Sequence, residues 1–357
     1  MRHRPACRCL TRKEADSGVP GEGANYPFPA QFLRREETQM KLGPIRMNPA
    51  YRHGKDTPWG GDRLKKVFGK AIPDDRTGES LEVSMIPGLN SRDDGGRPLG
   101  DIIAEYGDRV TGTEVRGDFP LLLKLLDARD RLSVQVHPDD EYAKRVENKL
   151  GKTEAWVILD CDDGAELVYG VLPGTTREQL KTASLQGKAV EKLLGRVRVH
   201  PGEVYYIPSG TVHAIGAGIL IYEIQQSSDV TYRFYDWDRT DERGNKRELH
   251  IEKAIDVTDL ETRQESTAPK SLGNGREMLL KEKYFSLERW TDTTFRLAPD
   301  RRIFRILTAL EDTSIRWDGG ELRLKGGMTA LLPADGYDLE ITTGKMLLSY
   351  PTVQNGD

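Results

Sequence analysis

The stretch GEVYYIPSGTVH, residues 202–213, decides how this chain is read. A short β run, Val204 to Ile207, breaks at the turn Pro208-Ser209-Gly210, and a histidine, His213, follows at once. Upstream, Gln135 and His137 are two apart, so on a strand they point to the same face. Glu154 opens a further β run, Glu154 to Leu159. Together these segments read as a split metal site on a β-barrel, where strands remote in sequence converge. Two imidazoles, a carboxylate and an amide are a donor set that zinc or a related divalent cation accepts. Three charged or imidazole ligands leave a position for water or substrate, whereas four cysteines would close the sphere. Gln135 is the weakest of the four, because an amide is a poor donor, and supporting the other ligands is its alternative role.

The bulk properties remove several function classes. The chain has 357 residues, enough for two or three packed units. A net charge of -4 argues against a nucleic-acid binder, which would carry a basic face. No apolar run approaches the roughly 20 residues that span a bilayer, and the N-terminus lacks the apolar segment of a secretory signal. Three cysteines, an odd number, argue against a disulfide framework and fit a reducing cytoplasm. Cys7 and Cys9 form a lone Cys-x-Cys without a second pair, so they are not read as a metal site. The expectation is a cytoplasmic protein with no nucleic-acid or membrane partner. Nothing in the chain speaks to oligomeric state.

Residues 1–39 are rich in Arg, Gly and Pro without periodicity, and read as a disordered leader, one that an upstream start codon would explain. From Met40 onward, short β runs punctuated by Gly and Pro predict a mainly β, antiparallel architecture. Asp139 and Asp140 predict the cap of a helix carrying Tyr142, Val146 and Leu150 on one face. Thr176 opens a second helical insertion running to Leu194, and a third helix is expected over 249–257. The expected division is a metal-binding domain at 40–257, a polar linker at 258–277, and a smaller β-domain at 278–357 that contains no histidine. Among the remaining histidines, His200 and His250 read as structural and His53 as a possible rim residue, while His3 lies in the leader. Gly151-Lys152-Thr153 imitates the end of a phosphate-binding loop, but that motif needs glycine where Val146 stands.

The 202–213 segment has the form Gly-x5-Pro-x-Gly-x2-His, the second half of the cupin signature. With Pro58-Trp59-Gly60-Gly61, Phe119 to Asp127, Leu132 to Asp140, Gly151 to Glu154 and Ser227 to Arg233, the chain resembles type I mannose-6-phosphate isomerase in its short bacterial form, over roughly 44–352. The resemblance implies a cupin (jelly-roll) barrel with helical insertions and a C-terminal cupin-like β-domain without metal ligands. It implies one Zn2+ per chain, held by Gln135, His137, Glu154 and His213, and a sugar phosphate as the small-molecule partner. Arg233 matches the family's active-site arginine, and Glu223 resembles its acidic proton-transfer or pocket residue. Lys124, Ser133 and Lys152 match substrate-pocket positions.

The residues support part of this independently. Lys124 lies inside Leu121 to Leu126, where an unpaired charge would be costly, so it is expected in a pocket. Ser133 shares strand parity with Gln135 and His137. A guanidinium such as Arg233 fits phosphate or enediolate oxygens. Either Glu223 or Lys152 could move the proton of an aldose–ketose isomerisation. Two rivals stand beside this reading: a cupin isomerase for another sugar phosphate such as glucose 6-phosphate, and a non-catalytic metal cupin that binds sugar for regulation. If residues 1–39 are dispensable, a chain starting at Met40 will match the full chain in thermal midpoint and turnover. A large drop in either would show that they pack against the fold.

Overall fold

The computed structural model describes residues 40–261 and 266–353, so the expected leader lies outside the described residues. The architecture is mainly β, with three antiparallel sheets and short helical insertions. The first sheet has five strands, in the order Tyr232–Tyr235, Val134–Val136, His213–Ile215, Glu166–Val171 and Leu194–Arg198. The second has six: Ala50–His53, Thr77–Val83, Leu121–Ala128, Ile219–Gln226, Glu154–Cys161 and Val204–Ile207. The third has nine strands and takes in the C-terminal region. The first two face each other as a double sheet of the jelly-roll kind, without a closed ring of hydrogen bonds.

The strand Leu121–Ala128 shows why the layers stack in this way. All eight of its residues are buried, as its nearly unbroken apolar sequence requires. Leu121, Leu123 and Leu125 pack with Leu279, Phe285, Phe304 and Leu347 from the C-terminal region. Leu126 and Ala128 instead join Trp156, Leu167, Tyr169 and Ile215 on the other side. The six-stranded sheet is therefore the middle of three layers. Its back carries polar contacts as well. The Tyr222 hydroxyl meets Ser349 Oγ at 2.6 Å, and buried Glu82 accepts from Ser80 at 2.6 Å, Thr329 at 3.2 Å and Lys70 at 2.7 Å. Those partners satisfy a carboxylate that burial would otherwise penalise by several kcal/mol.

The helical insertions follow their capping residues. Asp139 accepts from the Tyr142 N–H at 2.8 Å and starts the helix Asp140–Glu147. Asn148 ends it in a left-handed conformation, so Leu150 falls beyond the helix and is 38% exposed instead of extending the expected apolar face. Thr176 and Gln179 form a reciprocal capping box on Arg177–Leu185, and a 3-10 helix, Gly187–Leu193, continues the insertion. The third helix spans Ile251–Val257. The helices Arg63–Phe68 and Leu99–Tyr106 were not anticipated; each is too short for periodicity to stand out, though Leu64, Leu99 and Ile102 are fully buried.

Two findings bear on the expected domain division. Residues 258–277 contain the strand Lys270–Gly273 and the start of Arg276–Lys281. Their polar composition is that of an exposed edge strand, which reads like a linker when only hydropathy is considered. The early strand Ile45–Met47 pairs with Thr329–Leu332, so the nine-stranded sheet draws on both ends of the described chain.

Candidate metal centre and active site

Strand register assembles the site. Gln135 pairs with His213 on one side and Arg233 on the other, which puts the three side chains in one row on the five-stranded sheet. Across the cleft, Glu223 pairs with Lys124 and Trp156, forming a second row on the six-stranded sheet. Glu154 lies two residues before Trp156 on the same face. His137 follows the end of its strand, and its carbonyl accepts from the Gly210 N–H at 2.8 Å. This bond joins the two histidine segments directly. Gly210 has φ +88°, which explains the glycine of the Pro-Ser-Gly turn. Gly151 is needed for closeness: a Cβ there would lie 2.5 Å from the Asp139 carbonyl carbon.

His137, Glu154 and His213 are all buried, with one potential ligand atom each lying within 4.8 Å of the others. His137 Nδ1 bonds the Val230 carbonyl and His213 Nδ1 the Thr211 carbonyl, both at 2.9 Å. A carbonyl can only accept, so each Nδ1 carries the proton and each Nε2 presents a lone pair. Burial first, then the nearby Lys152 charge, lowers the pKa of both rings, that of His213 to about 3. Neutral imidazoles are the form that binds a metal. Glu154 Oε1 is buried without a hydrogen-bond partner and lies 3.3 Å from His213 Nε2. Burial raises its pKa to about 7 against the opposing pull of Lys152. Lys152 supplies a cation at this point: its Nζ lies 3.0 Å from His137 Nε2 and bonds Glu154. Two lone-pair nitrogens and an orphaned carboxylate oxygen around one point fit a divalent cation. Gln135 Nε2 is assigned 3.3 Å from His213 Nε2, and a flip of its amide would offer oxygen there instead.

The cleft above the cluster is lined by both rows. Lys124 Nζ lies 3.0 Å from Glu223 and 3.8 Å from Glu79, and Glu79 in turn meets Arg52 at 3.5 Å. Glu223 also accepts from Trp156 Nε1 at 3.0 Å. Burial alone would raise the Glu223 pKa, but Lys124 and Lys152 outweigh it and hold the group at about 2. Arg233 donates to Ser133 Oγ at 3.2 Å and to the Glu248 carbonyl at 2.9 Å, and has no ion pair with a carboxylate among the described residues. Lys124, Ser133, Gln135, Lys152, Glu223 and Arg233 therefore all line one cleft.

Other residues fell outside the sequence reading. Glu79 and Arg52 line the same cleft. Glu79 carried the signal that singled out Lys124, a charge in a run that is buried throughout, Thr77–Val83. Arg247 also reaches the cleft, held by Asp236 at 2.6 and 2.7 Å, but its loop has no periodicity that could have exposed it. His53 pairs with Asp74 at 2.6 Å on the surface, and its neighbour Arg52 lines the cleft instead. His200 is exposed beside Glu203, whereas His250 Nδ1 accepts from the Arg233 backbone N–H at 3.3 Å.

A mainly β scaffold with a two-histidine, one-glutamate cluster beneath a charged cleft has clear relatives. Residues 47–161 match the family described as phosphomannose isomerase type I, catalytic domain. A probable mannose-6-phosphate isomerase of Bacillus subtilis is 38% identical over 318 residues, covering 86% of this chain and 99% of the relative. The mannose-6-phosphate isomerase of Streptococcus mutans is 44% identical over 238 residues, covering 65% of this chain and 74% of its own. The crystal structure of the mannose 6-phosphate isomerase from Bacillus subtilis superposes with a TM-score of 0.79 at 35% identity, over 87% of this chain and 99% of that one. The chain belongs to the phosphomannose isomerase type I family, and is thus an aldose–ketose isomerase.

The buried Lys124–Glu223 pair makes a stability prediction. Glu223→Gln and Lys124→Met should each cost about 3 kcal/mol, since each strands a buried charge. The double variant should lose clearly less than the sum, as read from urea unfolding. Additive losses would show that the two charges do not depend on each other.

Proposed function

We propose that the protein interconverts mannose 6-phosphate and fructose 6-phosphate by proton transfer through an enediol, with one Zn2+ held by His137, Glu154 and His213. The observation that carries this reading is the pair of facing rows, Arg233–Gln135–His213 and Lys124–Glu223–Trp156, with the buried cluster at their meeting point. When bound, the ion supplies Lewis acidity for oxygen atoms at C1 and C2 of the sugar. Gln135 supports the site from the His213 side.

The chain's own groups divide the remaining work. Arg233 has no carboxylate ion pair among the described residues, so its charge is free for phosphate or enediolate oxygens. Ser133 fixes its direction. Lys124 is held in the cleft by two carboxylates and offers further donors to the substrate. Of the two proton-transfer candidates, Glu223 sits in the facing row bonded to Lys124 and Trp156, whereas Lys152 stands at the cluster itself, beside His137 Nε2 and Glu154. We therefore assign the proton transfer to Lys152 and the positioning of Lys124 to Glu223. The cations in the cleft favour a phosphorylated substrate over a free sugar.

Elemental analysis should find one zinc per chain, lost in His137→Ala, Glu154→Ala and His213→Ala. Arg233→Ala and Lys152→Ala should retain the metal while turnover falls by roughly 100-fold or more, the scale of one positioned electrostatic or proton-transfer group. Full metal in all three ligand variants would reject the site, and normal kinetics in either of the others would remove that residue from the mechanism.

The enediol route has its own readout. Mannose 6-phosphate incubated with the enzyme in D2O should yield fructose 6-phosphate carrying deuterium at C1, seen by NMR. Complete retention of the substrate hydrogen would point to a hydride shift. Absence of turnover with metal-loaded protein would favour a binding role, and turnover of glucose 6-phosphate alone would reassign the substrate.

A further inference from the structure

The nine-stranded sheet has a cavity of its own, about 410 Å³, built from residues the isomerase site does not use. Its floor is one face of four adjoining strands: Arg276–Lys281, Phe285–Leu297, Leu339–Pro351 and Arg305–Ala309. Pairing sets Lys281 opposite Ser286 and Ser286 opposite Tyr350. The match of Ile306 with Ser349 places Arg305 beside Tyr350. The row therefore runs cation, hydroxyl, hydroxyl, cation.

The charges along this floor are unequally satisfied. Glu288 is buried, and both its oxygens are taken, by the Tyr350 hydroxyl at 2.7 Å and by Trp290 Nε1 at 2.8 Å. Arg302 is paired with Asp300 at 2.8 Å, whereas Arg276, Lys281 and Arg305 lack such partners among the described residues. Arg305 donates to the Ala298 carbonyl at 2.9 Å, and Arg276 lies over the Phe295 ring at 4.0 Å with its Nε buried and unbonded. Among the described residues, no carboxylate lies within 4.0 Å of the cationic nitrogens of Arg276, Lys281 or Arg305. A half-buried guanidinium with only a carbonyl partner is costly to keep, and an anion would complete it. Asp300 also lines the cavity and acts on Arg305 from a distance, but both its oxygens are bonded by Arg302, at 3.0 and 2.8 Å.

We propose that this cavity is a second ligand site, separate from the isomerase centre, that binds a small phosphorylated molecule through Arg305 and Lys281. A phosphoryl group suits the row because its several oxygens take donors from more than one direction, and guanidinium bonds to it are charge-assisted. Ser286, whose hydroxyl meets Thr352 Oγ1 at 2.8 Å, and Tyr350, which donates to Glu288, face the same space and keep lone pairs that can accept from the hydroxyls of a polyol body. The assignment does not depend on which sugar phosphate the isomerase centre converts.

The probe is inorganic phosphate, titrated calorimetrically into the zinc-loaded full chain. A binding component should persist in Arg233→Ala, which alters the isomerase cleft, and weaken about tenfold or more in Arg305→Met and Lys281→Ala, the loss expected for one charge-assisted bond. Lys281 is exposed, so its variant tests the site even where Arg305→Met disturbs folding. Binding that disappears in Arg233→Ala and is unchanged in Lys281→Ala would overturn the proposal. So would the absence of any phosphate heat at millimolar concentration.

Discussion

The alignment of Gln135 with His213 is the constraint on which the site depends. The two residues are 78 positions apart, yet they are direct cross-strand partners, and Arg233 completes their row. Because side chains alternate on a strand, a slip of one residue in any of the three strands would turn its member of the row, Gln135, His213 or Arg233, away from the cleft. The Gly210–His137 backbone bond secures the register where the strands end. Donor chemistry at the cluster is therefore a consequence of β pairing, and the carbonyl partners of both histidines then fix which ring nitrogen is available.

The opposite wall is organised by charge. Arg52, Glu79, Lys124 and Glu223 alternate in sign from the rim inward, and each inner member is buried. Burial would discharge an isolated Lys124 or Glu223; their mutual charges oppose that and keep both ionised. Glu154 and Glu223 show how far environment can separate two carboxylates on adjoining strands. Glu223 is dominated by Lys124 and Lys152 and held low, whereas desolvation wins at Glu154 against the pull of Lys152. Each of the two also meets a lysine of the chain, Lys124 at Glu223 and Lys152 at Glu154.

Much of this is legible in the amino-acid sequence. The Gly202–His213 spacing carried its own turn geometry, and Lys124 announced a pocket because leucines surround it on both sides. Cap residues Asp139 and Thr176 marked their helices correctly, since capping is a local interaction. What escaped was whatever depends on remote partners. Arg52 and Arg247 reach the cleft through tertiary packing, and Lys270–Gly273 is a strand only because Arg276–Lys281 lies beside it. In the strand Phe285–Leu297 the outer half alternates between half-buried and exposed, so hydropathy alone gives it little contrast.

The sharing of the middle sheet limits how this protein can be divided. Leu121, Leu123, Leu125, Tyr222 and Ile224 turn their backs on the isomerase cleft and are buried against the C-terminal layer. At about 1.5–3 kcal/mol for each large side chain, stripping that layer away would forfeit on the order of 10 kcal/mol. A typical domain has only about 5–15 kcal/mol of net stability in total. The histidine-free region is thus scaffolding that the catalytic half cannot shed, and recombination between relatives has to exchange the two as one block or carry over a matched seam.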